Sequence, residues 1–434
     1  MSSRLRRSTA LLLLPLLAVA GCTRGGDPAG AGGDSDRPTL TVWVPSGAEG
    51  EQPKAVAAAY NDTQDAVTID VQDLPQAQSM EDVVLASIAA KNTPDLLFAA
   101  APLAVPQYAE SGGIVDLSTI EGATEFVEAR SGADILEQYS EDDGGLYQVP
   151  WRSNPVMTYY NKALFAKAGL DPETPPRTYT EYLDAMAALD AAGITAITPS
   201  IDQTWWHRFF DFYPTYLAAG QQLFLDEAGT QAVFDDTAGK QAMEFWRTVY
   251  SSGYAPKATV TLDQANPFNL GESAMYLSGP FNLPLISPEV LGDIGVTTVP
   301  VPDDVATDGP PTTFGDVKSI VMFSTTDDEQ GAWDFVEYYL SPENDVGYLT
   351  ATRQIPLRAD LADVVPAELL ADNPLLEPFI KQGTTTLNFD VTPHSVEIFE
   401  VISNAYQAAA IYETMPVDQA LTEAAAKVDK LVGN

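Results

Sequence analysis

The chain has 434 residues, with 61 acidic against 22 basic side chains and a formal net charge of −39. Such a surface repels nucleic acid and other polyanions, and two histidines and one cysteine leave little material for a histidine or thiolate metal centre. A hydrophobic content of 45% over this length can fill more than one core, so two lobes are expected.

Arg4, Arg6 and Arg7 precede an apolar run, Ala10 to Ala20, that ends in Val19-Ala20-Gly21-Cys22. A basic start, a short apolar segment and small residues before a cysteine predict a lipoprotein signal peptide over 1–21, with Cys22 lipidated as the new N-terminus. Residues 22–38 are rich in Gly and Asp, carry no large apolar residue, and read as a flexible leash.

Thr39 to Val44 alternates and is β-branched, which predicts a first strand. A helix from Pro53 to Tyr60, a strand at Val67 to Val71, a helix carrying Met80, Val84 and Ile88, and a buried strand at Leu96 to Ala99 follow. Strand and helix alternating over about sixty residues predict a parallel α/β lobe. Gly145 to Leu170 holds the passage Pro150-Trp151-Arg152-Ser153-Asn154-Pro155. Two prolines without ladder donors, and Trp and Arg ends that want partners, make this an improbable core strand and favour a crossing between lobes. Val156 to Tyr160 should be a strand and Lys162 to Ala168 a helix stopped by Gly169.

Thr178-Tyr-Thr-Glu181 is a capping box opening a helix that Gly193 ends. Thr195 to Pro199 should be a strand entering Ile201-Asp-Gln-Thr-Trp-Trp-His-Arg208. Ala242, Phe245, Trp246 and Val249 keep helical spacing up to Gly253, and Ala332, Trp333, Val336 and Tyr339 do so before Ser341-Pro342. Val296 to Pro302 reads as a second crossing, and Phe314 to Met322 as a strand. The turn Arg353-Gln-Ile-Pro-Leu-Arg358 leads to C-terminal helices, the last on Val417, Leu421, Ala424, Val428 and Leu431.

Several short motifs in this order resemble one family. They are Asn92-Thr-Pro-Asp-Leu-Leu-Phe98, Tyr108-Ala-Glu-Ser-Gly-Gly-Ile-Val-Asp-Leu117, Tyr159-Tyr-Asn-Lys-Ala-Leu-Phe-Ala-Lys-Ala-Gly-Leu170 and Gly271-Glu-Ser-Ala-Met-Tyr-Leu-Ser-Gly-Pro-Phe281. Behind a lipoprotein signal, they resemble the bacterial extracellular solute-binding proteins of family 1, which feed sugar ABC importers and include maltodextrin-binding protein. The resemblance implies a two-lobed periplasmic-binding-protein-like fold, each lobe an α/β sandwich, joined by hinge crossings around a ligand cleft. Lobe 1 is expected at 39–151 and 302–345, and lobe 2 at 152–301 and 346–434. It also implies a monomer held outside the cytoplasm by lipid alone, partnered by permease subunits, with a sugar ligand, no cofactor and no catalysis.

Sugar recognition needs aromatic faces for pyranose C–H surfaces and polar groups for hydroxyls. The expected ligand residues are Ser46 and Glu49 beyond the first strand, then Trp151, Arg152 and Asn154 at the crossing. Trp205, Trp206 and Phe281 offer faces, and Asp316 and Arg353 lie after the return. Trp246 and Trp333 belong to core stripes, and core is also favoured for Trp43. Ala99-Ala-Ala-Pro102 stands where maltodextrin-binding protein has an aromatic and charged residues, which argues against a maltodextrin ligand. The competing readings are a polyamine or metal-ion receptor and a secreted glycoside hydrolase.

Overall fold

The computed structural model describes residues 37–75, 80–141, 144–199, 210–226, 228–258, 263–305, 309–383 and 385–433. Twelve short strands form among these residues: β1 (Thr39–Val44), β2 (Thr68–Asp73), β3 (Leu96–Ala100), β4 (Val149–Ser153), β5 (Met157–Asn161), β6 (Thr195–Thr198), β7 (Ser273–Ser278), β8 (Ile294–Thr297), β9 (Thr313–Phe314), β10 (Lys318–Met322), β11 (Ile355–Pro356) and β12 (Thr386–Leu387). The first sheet has the order β11-β4-β10-β3-β1-β2, the second β6-β7-β5-β8, and β12 pairs with β9.

Each sheet is covered by helices whose apolar residues recur on one face. In the first lobe, Ala332, Trp333 and Val336 of Glu329–Tyr339 pack with Val42, Leu96 and Ile320. In the second, Ala242, Phe245, Trp246 and Val249 of Thr237–Ser251 are buried with Tyr182, Met186 and Tyr216. Local chemistry fixes where the helices begin. The Thr178 hydroxyl and Glu181 carboxylate close a capping box, and Asn161, Asp236, Asp328 and Ser341 cap with their side chains.

The crossing differs from its expected form. Pro150, Trp151 and Arg152 lie inside β4, buried between β10 and β11. Pro150 is accommodated beside a register shift between Lys318 and Ser319, where the ladder is already irregular, and β4 is one strand from the sheet edge. The segment that leaves the sheet is 154–156. Asn154 N and Val156 N donate to Gly315 O (2.6 Å) and Phe314 O (2.9 Å), and Thr313 Oγ1 donates to Val156 O (2.8 Å). On its other side, Gly315 N donates to Leu387 O at 3.0 Å. The two chain crossings and β12 are thus bound into one narrow ribbon between the sheets.

Strand directions decide what meets at that ribbon. β1 and β3 are parallel, β10 runs against β3, β4 against β10, and β11 against β4. The carboxyl ends of β1, β3 and β4 and the amino ends of β10 and β11 therefore share one edge, the position where open α/β sheets bind ligands. In the second sheet β7 runs against β5, so its carboxyl end, Ser278 to Phe281, faces the same ribbon.

Candidate functional site

At the shared edge, side chains from the ends of β4, β10 and β11 and from the first turn of the helix after β1 form a continuous hydrogen-bonded row. Arg152 Nη2 donates to Glu49 Oε2 at 2.7 Å, while its Nη1 donates to Gln354 Oε1. Asn154 Nδ2 donates to the same Gln354 oxygen at 3.0 Å and to Asp316 Oδ2 at 3.3 Å. Lys318 Nζ closes the row on Asp316 Oδ1. Arg152, Asn154 and Gln354 are buried, whereas the side chains of Glu49 and Lys318 keep 31% and 22% of their surface exposed, so the row opens at both ends. Arg152 Nε and Asn154 Oδ1 have no partner among the described residues.

Glu49 reaches Arg152 because the helix Ala48–Thr63 starts tightly against the end of β1. A Cβ on Gly50 would lie 2.2 Å from Pro45 O, so that approach requires glycine. Glu49 also sits in the first helical turn, where a carboxylate is favoured. Burial opposes the charge on Arg152, but Glu49, with Tyr348 and Asp316 behind it, raises its pKa above the ordinary value. Asp316 adopts φ 42, an unusual backbone for a non-glycine residue, and the following Val317 N donates to Asn388 Oδ1 at 3.2 Å.

Ser46 is exposed beyond β1. Phe281 is half-buried in the short helical turn Pro280–Leu285, its ring 5.9 Å from that of Phe210. A Cβ on Gly279 would meet the Phe281 ring at 2.7 Å and Asn154 Cβ at 3.0 Å, so the second lobe's aromatic edge lies against the crossing. Trp205, Trp206 and Cys22 lie outside the described residues.

Two of the expected ligand residues are placed differently from their sequence reading. Trp151 is fully buried, its ring 4.8 Å from Tyr348, 5.5 Å from Phe98 and 5.7 Å from Tyr339, and Arg152 lies 5.1 Å over it. Alternation along β4 turns Trp151 into the first lobe's core, so the ring floors the site from behind. Arg353 takes a left-handed backbone (φ 65) at the end of the helix Pro342–Thr352 and donates to Thr350 O, a capping role. Its neighbour Gln354 enters the row instead. No motif in the sequence marks Gln354 or Lys318. Their signal is positional, since Gln354 immediately precedes β11 and Lys318 opens β10 opposite Arg152.

Residues 55–378 match the bacterial extracellular solute-binding protein profile. The chain belongs to that family. Among the curated solute-binding proteins, the diacetylchitobiose binding protein DasA of Streptomyces coelicolor is 24% identical over 375 residues, 82% of this chain and 83% of the relative. The sn-glycerol-3-phosphate-binding periplasmic protein UgpB of Shigella flexneri is 27% identical over 243 residues, 55% of each. Among solved structures, the cyclic α-maltosyl-1,6-maltose binding protein of Arthrobacter globiformis superposes with TM-score 0.77 at 24% identity, over 92% of this chain and 100% of that one. An ABC transporter solute-binding protein of Thermotoga lettingae bound with α-D-tagatose gives 0.76 at 24%, over 91% and 100%. The fold is the two-lobed one of these solute-binding proteins, with hinge crossings around a cleft. Members of the family bind substrates outside the cytoplasm and are not classed as enzymes. Among the described residues no helix is long and apolar enough to cross a membrane, and no group of three His, Cys, Asp or Glu is placed to hold a metal ion.

Proposed function

We propose that this chain is the substrate-capturing component of an ABC importer, taking an uncharged sugar or oligosaccharide and delivering it to the permease subunits. The carrying observation is the charge balance of the row. Each cation is already matched by a carboxylate, Arg152 by Glu49 and Lys318 by Asp316, and the amides of Gln354 and Asn154 lie between. Such a row offers hydroxyls both donors and acceptors, and gives neither an anion nor a polyamine an excess of opposite charge. Phe281 supplies a face for C–H surface.

The proposed ligand residues are Ser46, Glu49, Arg152, Asn154, Phe281, Asp316, Lys318 and Gln354, with Trp205 and Trp206 retained on their sequence alone. Relatives named for diacetylchitobiose, a cyclic maltosyl-maltose and tagatose support a neutral sugar; the glycerol phosphate relative is the competing precedent. The lobes divide, in this reading, at 154–156 and within 298–316. The chain binds without hydrolysing its ligand, acts as a monomer, and is tethered through lipid on Cys22.

A thermal-shift screen of neutral sugars, sn-glycerol 3-phosphate, spermidine and divalent metals tests the assignment, because a ligand of the folded state raises the melting temperature. A neutral sugar is expected to do so. A shift from the phosphate, the amine or a metal alone overturns it. Cys22→Ser should move the protein from the membrane fraction to the soluble fraction; unchanged membrane association removes the tether.

A further inference from the structure

Arg130 lies in the last turn of the helix Ala123–Ser131, paired with Asp345 in the helix Pro342–Thr352. Their side chains are 2% and 1% exposed. The guanidinium grips the carboxylate in two places, Nε to Oδ2 at 3.1 Å and Nη2 to Oδ1 at 3.0 Å. The second Nη2 hydrogen goes to Trp151 O (3.0 Å), and the two on Nη1 are shared among Ser131 Oγ (3.2 Å), Pro150 O (3.1 Å) and Leu357 O (3.1 Å).

Those carbonyls have a shared position. Pro150 and Trp151 directly precede Arg152 in β4, and Leu357 directly follows β11. The β4–β11 pairing is two residues long and sets Pro356 opposite Arg152, and proline brings no N–H to a ladder. Backbone pairing is therefore weakest where Arg152 and Gln354 must meet. Bonds just beyond the ladder add to it: Leu357 N donates to Trp151 O (2.9 Å), Ser131 Oγ to Leu357 O (2.7 Å), and Ala359 N to Arg130 O (2.8 Å). Arg358 adds a second cation on Asp345 at 3.1 Å.

We infer that Arg130, oriented by Asp345, is a positioning residue that sets the spacing of β4 and β11 and so holds Arg152 against Gln354 at the crevice. The inference rests on the proposed ligand role of those two residues. A buried ion pair kept only for stability can be exchanged for apolar residues of similar volume with little loss, whereas a planar five-donor fork fixes several acceptors in one geometry.

The full chain carrying Arg130→Met with Asp345→Leu separates the two roles. Its denaturant midpoint should stay near that of the wild type. Amide hydrogen exchange should accelerate at least tenfold in 149–156 and 353–358, and stay unchanged in β1 and β2. Diacetylchitobiose, the probe for the site, should bind the variant at least tenfold more weakly. Arg130→Lys keeps the charge opposite Asp345 but cannot span the three carbonyls, and should give the same exchange pattern if the double variant fails to fold. Unchanged exchange in the two segments, loss of protection spread equally over β1 and β2, or accelerated exchange with unaltered diacetylchitobiose affinity overturns the inference. If the wild type does not bind diacetylchitobiose, that choice of sugar fails, and the exchange pattern alone decides whether Arg130 acts as the clamp.

Discussion

The Arg152 guanidinium meets the Glu49 carboxylate at 2.7 Å although 103 positions separate the two residues in the chain. One comes from the end of a buried strand and the other from the first turn of a helix, and together they make one end of the hydrogen-bonded row. Lysine in place of Arg152 keeps the charge but offers a single ammonium, which cannot serve Glu49 and Gln354 in the same planar geometry. Arg152→Lys should weaken sugar binding by about 1.4 kcal/mol, or tenfold. Calorimetric titration checks this, with circular dichroism showing an unchanged fold.

Trp151 should behave as a core residue. Truncation to alanine removes a ring packed on Phe98, Tyr339 and Tyr348 and should cost about 3–5 kcal/mol of stability. Trp246→Ala and Trp333→Ala fall in the same class, being equally buried. Denaturant melts of the three variants measure it; a Trp151→Ala protein as stable as the wild type would remove the residue from the core.

Asp390 is buried, and burial raises its carboxyl from the ordinary 3.8 to about 6, although Leu225 N and Phe224 N donate to it at 3.0 and 2.9 Å. The folded state then holds this proton more tightly than the unfolded chain. Its contribution is fully present below about pH 4 and lost as pH rises through about 6, a change of about 3 kcal/mol. Asp390→Asn should flatten that part of the stability profile. Urea melts from pH 4 to 7 on both proteins give the comparison, and parallel profiles would remove Asp390 as the source.

Much of this architecture is legible in local sequence. Alternation in Thr39–Val44, the Thr178/Glu181 capping box and the stripes carrying Trp246 and Trp333 are short-range patterns, and the structure repeats them. The row at the crevice is less so. Arg353 and Gln354 are adjacent, and which one enters the site is set by the left-handed turn at Arg353, a consequence of how the preceding helix ends. Trp151 and Arg152 both look out of place in a strand by residue type, but alternation sends one into the core while pairing with Glu49 accommodates the other. Arg130 stood out in no motif, because its acceptors are backbone carbonyls that only the tertiary fold gathers.

The ribbon of 154–156 with 313–315 is narrow, and such crossings absorb rotation while packed lobes stay rigid. Small-angle scattering should therefore give a smaller radius of gyration with saturating sugar than without. Identical curves at confirmed saturation would mean that the lobes do not close.

The central claim is that an uncharged sugar is held at this crevice. Its most direct measurement is calorimetric titration of a neutral oligosaccharide, with sn-glycerol 3-phosphate as comparison, into wild type and Asn154→Ala. Asn154 bridges Gln354 and Asp316 at the centre of the row and carries an unpartnered oxygen among the described residues. The account predicts binding of the sugar and not of the phosphate, with affinity at least about tenfold lower in the variant. Binding of the phosphate alone, or of the sugar equally well by both proteins, would contradict it.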